Sequence, residues 1–329
     1  MKMSPNSLIW STPPRILVYG AGVVGTLLAS RLKRAGQDVT VLARGRRLTD
    51  IREHGLVLEN QSTDERTVTL VTAIDHLAPD STYDLVFVVM RRNQVDAVLP
   101  ALAAARKAST ICFMVNTASG YTMWSEAVGH ERLLLGFPGA GGVRNGPVVR
   151  YAFAPTWMQP TTFGEPDGQV TARLKAVLRM FRSADLPVTT CSDMRAWLTS
   201  HVALVSPLAN GIYLAGGDSC RLAKQVDTVR LMVDAIREGF TVVRAAGLNV
   251  VPFQLRLVER TPQALVVSAL RAWAGTGHFE TVAKAHAIAA ADEMQVLAHE
   301  FALLARTVGV RTPAIDRLRE ACDTFARRP

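Results

Sequence analysis

Residues 15–36 read RILVYGAGVVGTLLASRLKRAG, and this stretch decides the fold of the first half of the chain. The apolar run 15–19 predicts a short buried strand. A GxGxxG pattern follows directly at residues 20–25, and residues 26–35 then carry leucines at helical spacing. Such a strand, glycine loop and helix are typical of the turn that holds a dinucleotide pyrophosphate at a helix N-terminus. A glycine-rich turn without a ligand is the alternative interpretation.

The rest of the first half continues to alternate between strands and helices, whereas the second half has helical patterning almost throughout. The predicted strands are 38–43, 67–72, 84–90, 110–115 and 186–190, with a sheet-edge hairpin within 139–164 and helices at 94–105 and 169–184. Beyond Cys191 the predicted helices are 194–214, 218–246, 263–273 and 280–308. The pattern predicts an α/β fold in which a Rossmann-type, doubly wound parallel sheet precedes an all-helical domain. We expect two domains, residues 1–190 and 191–329.

Composition excludes several other classes of protein. The chain has 329 residues, of which 49% are hydrophobic and 20% charged, so it is not a disordered chain. Its four cysteines form no CxxC pair, which argues against a disulfide scaffold or a metal site and favours a reducing, cytoplasmic location. The charge-free run 196–217 contains a proline and polar residues, so we expect a buried helix and no membrane span. The formal charge of +9 is scattered, and we expect no nucleic-acid partner.

The end of the second strand predicts which dinucleotide binds. An NAD site usually has an acidic residue there for the ribose hydroxyls, whereas this chain has Arg44, Arg46 and Arg47. Arginine suits a 2′-phosphate by charge and geometry, so the cofactor is predicted to be NADP(H). A solvated basic turn is the alternative. The predicted cofactor-binding residues are Gly20, Gly22, Val23, Val24, Gly25, Arg44, Met90, Arg91, Gln94 and Asn116.

The sequence resembles the ketopantoate reductase (2-dehydropantoate 2-reductase) family. The resemblance rests on the opening ILVYGAGVVGTLLASRLKRAGQDVTVLARGRR, the later IREHGLVL and DLVFVVMRRNQ, Asn116, the pair Pro207-Leu208, and Asp292-Glu293 ahead of VGVRTP. It implies a Rossmann domain, a helical domain for substrate binding and dimerisation, and reduction of a 2-keto acid by NADPH in the cleft between them.

The resemblance also implies roles for particular residues. Arg44 takes the place of the family's NADP arginine, Asn116 that of its loop asparagine, and Glu293 that of its substrate-contacting glutamate. Arg91 stands where the family has a lysine after the fourth strand. The general-acid lysine of the family falls on Leu198, which has no proton to donate.

Two histidines are candidates to replace this lysine. His201 lies one helical turn after Leu198, and its unperturbed pKa suits acid catalysis. His286 lies two turns before Glu293. A hydrogen-bonded core histidine is the alternative for His201, and a packing role the alternative for His286. The predicted catalytic residues are His201, Glu293 and Asn116, and Arg91 is expected to bind a carboxylate or a phosphate. A surface arginine is the alternative for Arg91, and a loop-start residue without a ligand the alternative for Asn116.

These residues predict an NADPH-dependent reductase that transfers hydride to a 2-keto acid or a related carbonyl. The substrate is expected to be a small molecule bearing a carboxylate, and a homodimer is compatible with the family. Two alternatives stay open. One is a reductase of another carbonyl or an imine in secondary metabolism, and the other is an NADP-binding protein without catalysis.

Overall fold

The computed structural model describes residue 10, residues 13–156 and residues 159–326. The strands are β1 Arg15–Tyr19, β2 Asp38–Leu42, β3 Leu56–Asn60, β4 Arg66–Thr69, β5 Thr72–Ile74, β6 Leu85–Val88, β7 Thr110–Met114, β8 Leu133–Phe137, β9 Ala140–Asn145, β10 Val148–Phe153, β11 Thr161–Gly164 and β12 Val188–Thr190. The helices are α1 Val23–Arg34, α2 Gly45–His54, α3 Arg92–Val95, α4 Leu99–Ala104, α5 Thr122–Val128, α6 Ala172–Ser183, α7 Met194–Leu214, α8 Ser219–Lys224, α9 Val226–Ala245, α10 Leu257–Arg260, α11 Gln263–Ala274, α12 Gly277–Phe279, α13 Ala285–Ala289, α14 Ala291–Thr307 and α15 Pro313–Ala326.

The chain divides into two compact units. Unit 1 comprises the described residues of Met1–Met90, Gln94–Val115 and Thr122–Met194. Unit 2 comprises Arg91–Asn93, Asn116–Tyr121 and the described residues of Arg195–Pro329. The chain thus enters unit 2 for the first time directly after β6 and again directly after β7. The main division falls between Met194 and Arg195, four residues after the boundary that we predicted at residue 190.

Unit 1 is built on an eight-stranded sheet with the order β12-β11-β8-β7-β6-β1-β2-β5. Strands β8, β7, β6, β1, β2 and β5 run parallel. Strand β11 pairs antiparallel to β8 and parallel to β12. The central strands are buried along their whole length, as expected of a sheet covered on both faces. Phe87, Phe163 and Phe181 pack ring to ring in its core. The predicted mixed α/β fold with a parallel sheet is confirmed.

Unit 1 also contains a four-stranded sheet with the order β4-β3-β10-β9. The hairpin predicted within 139–164 exists as β9 and β10, but it lies in this second sheet and not at the edge of the main one. The predicted strand 67–72 is in fact two strands. β4 pairs antiparallel to β3 in the second sheet, and β5 pairs parallel to β2 in the first, with the exposed Leu70 at the break. Helix α1 contacts strands of both sheets.

Unit 2 beyond Met194 is helical, as predicted, around a core that includes Met232, Phe240, Phe279 and Phe301. Helix α7 has the predicted bounds and contains Pro207. Among the described residues, no helix combines the length and the apolarity that a membrane span requires.

Three helices predicted as continuous are interrupted. The predicted helix 94–105 is divided into α3 and α4, and Pro100 lies in the first turn of α4, where a missing N–H is tolerated. The predicted helix 218–246 breaks between α8 and α9 at Gln225, whose ψ of 85° is not helical. The predicted helix 280–308 begins with a π-helical segment and breaks at Ala290, whose φ is −125°. Periodicity alone did not reveal these breaks, because the apolar spacing continues across them.

Candidate active site

The glycine loop of unit 1 joins β1 to α1, and two of its glycines are required by sterics. Gly20 has a φ of 117°, and a Cβ built there would lie 2.1 Å from the Val89 carbonyl oxygen. A Cβ on Gly25 would lie 1.9 Å from the carbonyl oxygen of Gly20. Gly22 is different, because it is exposed and a Cβ there would meet no atom within 4 Å. The space beside Gly22 is therefore open to a ligand that approaches the backbone.

The N-terminus of α1 offers this space a set of amide donors. Gly22 is the N-cap residue and supplies no side-chain hydrogen bond, and no acidic residue lies in the first turn. Val23 and Val24 are only partly buried. The first backbone bond of the helix runs from the Thr26 amide to the Gly22 carbonyl, 3.0 Å away. An uncapped helix start with a positive dipole end suits an anion such as a pyrophosphate, so the loop fits a dinucleotide.

The three arginines after β2 have two different roles. Arg44 is exposed, and its guanidinium donates to the hydroxyl of Tyr19, at the end of β1, over 3.0 Å. Arg47 is buried and donates to the Ala21 carbonyl over 3.0 Å, to the Thr26 hydroxyl over 2.9 Å and to the Pro147 carbonyl over 3.2 Å. Burial lowers the pKa of Arg47 to about 10. Arg47 therefore holds the glycine loop in place, whereas Arg44 faces solvent beside it.

A further basic residue, which the sequence reasoning did not single out, lies near this turn. The guanidinium groups of Arg46 and of Arg144, on β9, each lie 3.9 Å from a carboxylate oxygen of Asp50. Arg144 also contributes to lowering the pKa of Arg47. The hairpin of the second sheet thus adds positive charge to the start of α2, which residue spacing could not reveal.

The other predicted cofactor residues lie after β6. Met90 is half-buried and Gln94, in α3, is exposed, and both belong to unit 1. Arg91 belongs to unit 2, where its guanidinium donates to Asp292 over 2.8 Å and to the Ala289 carbonyl. Arg91 is thus engaged by the start of α14, and its predicted role with a phosphate or carboxylate stays a prediction.

Segment 91–93 is bound to the first turn of α14 by three successive residues. Besides the Arg91 contacts, the Arg92 amide donates to Oε1 of Glu293 over 3.0 Å, and the Asn93 side chain donates to Asp292 over 2.7 Å. Asp292 therefore accepts two side-chain hydrogen bonds from this segment. Glu293 is only 3% exposed.

Glu300, two turns after Glu293, was missed by the sequence reasoning. Its carboxylate accepts from the amides of Ala118 and Ser119 and from the Thr117 hydroxyl, over 3.0 to 3.3 Å. It also forms an ion pair with Arg92 at 2.7 Å, in which both side chains are about nine-tenths buried. Glu300 therefore fixes the loop that carries Asn116. The seven-residue spacing from Glu293, which places both carboxylates on one helix face, was the available signal.

Asn116 opens this loop and is 8% exposed. Its Oδ1 atom is buried and has no hydrogen-bond partner among the described residues. Buried polar side-chain atoms are rarely left without a partner, so such an atom indicates a missing donor. This supports the prediction that Asn116 contacts a ligand.

Glu293 and His286 form an acid–imidazole pair in unit 2. Nε2 of His286 lies 4.0 Å from Oε2 of Glu293, and the side chain of His286 is 43% exposed while that of Glu293 is 5% exposed. Burial raises the pKa of Glu293 to about 7, although the Arg92 amide and the charge of Arg91 act in the opposite direction. The Glu293 carboxyl group is therefore protonated below neutral pH and partly protonated at pH 7.

His201 lies on α7 with its ring stacked on Trp197, at a centroid distance of 5.3 Å. Burial lowers its pKa to about 3, with a smaller contribution from His286. Its imidazole is therefore neutral at pH 7, which weakens the prediction that it donates a proton as imidazolium. Leu198 is 1% exposed and packs in the interior, so the position of the family lysine is part of the core.

Fold and site together define a class: a Rossmann-type protein with a glycine loop for a dinucleotide and a helical unit that contains a buried acid. Residues 16–168 match the family model for ketopantoate reductase PanE/ApbA. The predicted resemblance to this family is thereby confirmed over residues 16–168.

Curated relatives and solved structures agree with this assignment. The 2-dehydropantoate 2-reductase of Archaeoglobus fulgidus is 24% identical over 237 residues, 68% of this chain and 73% of the relative. That of Pyrococcus abyssi is 23% identical and covers 71% of this chain and 75% of its own length. These homologues are oxidoreductases.

The solved structures share the fold along nearly the whole chain. A 2-dehydropantoate 2-reductase from Geobacter metallireducens has a TM-score of 0.76 at 18% identity and covers 94% of this chain and 99% of its own. D-mandelate dehydrogenase in a ternary structure with NADH and anilino(oxo)acetate has a TM-score of 0.76 at 13% identity, with 94% and 98% covered.

Proposed function

We propose that this protein is an NADPH-dependent reductase of a 2-keto acid or a closely related carbonyl. The observation that carries the proposal is the site around residues 20–25. Gly22 leaves space at an uncapped helix start, and the exposed Arg44 lies beside it where an NAD site would have an acidic residue. The relatives named 2-dehydropantoate 2-reductase, and the dehydrogenase solved with NADH, support a nicotinamide cofactor.

The residues of unit 1 would hold the cofactor by charge and by backbone donors. The amides of Val23 and Val24 face the pyrophosphate, and Gly22 permits its close approach. Arg44 binds the 2′-phosphate in a charge-assisted contact, with Arg46 and Arg144 adding positive potential. When bound, NADPH supplies the hydride that reduces the carbonyl carbon.

The residues of unit 2 would bind the substrate and supply the proton. The unpartnered Oδ1 of Asn116 accepts a hydrogen bond from a hydroxyl or amide of the ligand, and Arg91 attracts a carboxylate. His201, whose imidazole is neutral at pH 7, would contribute a hydrogen bond to the ligand and no acidic proton. The protonated, buried Glu293 lies on the helix that holds both ligand-binding segments, 91–93 and 116–121.

Ketopantoate is one candidate substrate among several. Leu198 and the other residues of α7 provide no ammonium group, because that helix contains no lysine. A substrate other than ketopantoate is therefore favoured. Phenylglyoxylate, the 2-keto acid that corresponds to mandelate, is a second candidate substrate because D-mandelate dehydrogenase shares the fold.

The test has two parts. NADPH and NADH are titrated separately into the protein, and tighter binding of NADPH is expected. A panel of 2-keto acids that includes ketopantoate and phenylglyoxylate is then screened by the loss of NADPH absorbance. Equal affinities for the two cofactors would contradict NADP preference. Cofactor binding without turnover on any carbonyl or imine would favour the non-catalytic alternative.

A further inference from the structure

We propose that Glu293 is the proton donor of this reductase and that His286 reloads it from solvent. The inference rests on the proposed function and deepens it, because the family's lysine is absent from α7. The reaction balances simply. The substrate carbonyl carbon gains a hydride from NADPH, its oxygen gains the carboxyl proton of Glu293, and Glu293 regains a proton from water through His286.

The geometry of Glu293 suits a donor. Its two oxygens have different surroundings, since Oε1 accepts the Arg92 amide at 3.0 Å while Oε2 lies on the side of His286. The amide donor fixes one oxygen and leaves the other to carry the proton. The same amide stabilises the carboxylate that remains after the proton has left.

His286 has the exposure that a relay requires. Its side chain is 43% exposed, whereas that of Glu293 is 5% exposed, so solvent reaches part of His286 even though burial lowers the pKa of its imidazole. The 4.0 Å separation of Nε2 from Oε2 is too long for a direct hydrogen bond, and a small side-chain rotation closes it. Without this connection a buried carboxylate would regain its proton slowly.

Among the described residues, the charged and titratable groups that act on the pair are Arg91, Asp292, Tyr213 and His201. Arg91 lowers and Asp292 raises the pKa of Glu293, and these two residues pair with each other at 2.8 Å. Tyr213 lies within electrostatic reach of Glu293, and His201 within reach of His286. Burial of Glu293 dominates these effects, and it keeps the carboxyl group protonated up to about pH 7.

The first experiment needs no substrate. The C=O stretching band of a protonated carboxyl group is followed by infrared spectroscopy against pH, and Glu293→Gln identifies the band by its loss. We expect Glu293 to titrate near pH 7. His286 is titrated by NMR, and we expect its pKa, which burial holds below the usual value, to change little in Glu293→Gln, because Glu293 is protonated and neutral where His286 titrates. The resonances of His299 are the internal control. A carboxyl that titrates at the ordinary value of about 4.3 overturns the proposal.

The second experiment uses the 2-keto acid that the wild type reduces. Glu293→Gln should lower kcat about 10²- to 10⁴-fold with the Kd for NADPH unchanged, and should remove the fall of kcat above about pH 7. His286→Ala should lower kcat less, and added imidazole should restore it. His299→Ala, at an exposed histidine of α14, should behave as wild type.

The outcomes separate the two proposals. Glu293→Gln with near-wild-type kcat excludes Glu293 as donor while the reductase activity stands. Lack of imidazole rescue excludes His286 as the relay. If Glu293 titrates near pH 7 but no carbonyl compound supports the oxidation of NADPH, the reductase function is overturned. The role of Glu293 as proton donor is then overturned with it.

Discussion

The glycine loop of unit 1 and the acidic cluster of unit 2, which consists of Asp292, Glu293 and Glu300, are both candidate binding regions. The properties of the two regions have different physical causes. In the loop, backbone atoms decide, because Gly20 and Gly25 sit where any side chain would collide with a carbonyl group. In the cluster, burial decides, because Glu293 and Glu300 have ordinary carboxyl groups whose properties follow from their surroundings. The sequence shows a steric requirement directly, because only glycine fits. It does not show the environment that changes the properties of a carboxyl group.

The largest effect is expected from Gly25→Ala. Its Cβ would lie 1.9 Å from the Gly20 carbonyl oxygen and 3.0 Å from the Gly20 carbonyl carbon, and neither atom is on a side chain that could move aside. The expected loss in the free energy of unfolding is on the order of 5 kcal/mol, measured by urea unfolding of the whole protein.

Gly22→Ala is the matched control for this prediction. Its Cβ meets no atom within 4 Å, so the stability should be nearly unchanged, while NADPH should bind more weakly because the methyl group occupies the space of the pyrophosphate. Equal losses of stability in the two variants would show that sterics do not distinguish these glycines.

The next effect tests the buried ion pair of unit 2. Arg92→Ala leaves the carboxylate of Glu300 buried without its cation, which should lower the free energy of unfolding by about 3–5 kcal/mol. The neighbouring Arg91 pairs with Asp292 where both side chains are more than a third exposed, so Arg91→Ala should lower stability by about 1 kcal/mol or less. Similar losses for both variants would mean that burial does not set the strength of these pairs.

The third effect is a pH dependence of stability caused by Glu293. Its pKa is raised from 4.5 to about 7 in the folded state. Between these values the folded protein holds a proton that the unfolded chain has released, so the free energy of unfolding falls as pH rises. The fall is complete above pH 7 and amounts to about 3 kcal/mol.

Urea unfolding at about pH 5 and about pH 8 measures most of this fall, and Glu293→Gln should reduce the measured difference by about 2.5 kcal/mol because the amide does not titrate. Contributions from other groups cancel in the comparison of variant with wild type. An unchanged difference between the two pH values would place the pKa of Glu293 in its ordinary range.

These three effects also indicate what the sequence could predict. The parallel sheet, the glycine loop and the bounds of α7 followed from apolar periodicity and from glycine positions. The role of Arg47 did not, since its side chain turns inward to Ala21 and Thr26 while the neighbouring Arg44 and Arg46 face solvent. The spacing from Glu293 places Glu300 on the same helix face, but it does not reveal the contact with Ala118, which lies 182 residues away in the chain.

The proton donor shows the same limit. His201 was chosen because its reference pKa is suitable, but the reference value holds for a solvated side chain. Burial moves the pKa of His201 down to about 3 and that of Glu293 up to about 7, which reverses their suitability.

The fourth effect concerns cofactor discrimination. Arg44→Ala should weaken the binding of NADPH about ten- to hundred-fold, or about 1.5–3 kcal/mol, because a charge-assisted contact to the 2′-phosphate is lost. NADH lacks that phosphate and should bind as before. Fluorescence titration of both cofactors measures the ratio of the two Kd values. Arg47→Ala should instead lower the stability of the protein. If Arg44→Ala weakens the binding of NADPH and of NADH by the same factor, Arg44 does not contact the 2′-phosphate.

The smallest effect is expected from His201→Asn, and it sharpens the contrast between a residue type and its environment. A histidine whose pKa is about 3 is neutral at pH 7, so its removal takes away a hydrogen-bonding group and the stacking on Trp197 but no acidic proton. A single neutral hydrogen bond is worth about 0.5–1.5 kcal/mol, so kcat should fall about tenfold or less. The pH profile should keep the break near pH 7 that Glu293→Gln removes. A fall in kcat of about 10²-fold or more, with loss of that break, would identify His201 as the proton donor. It would also show that ligand binding raises the pKa of His201.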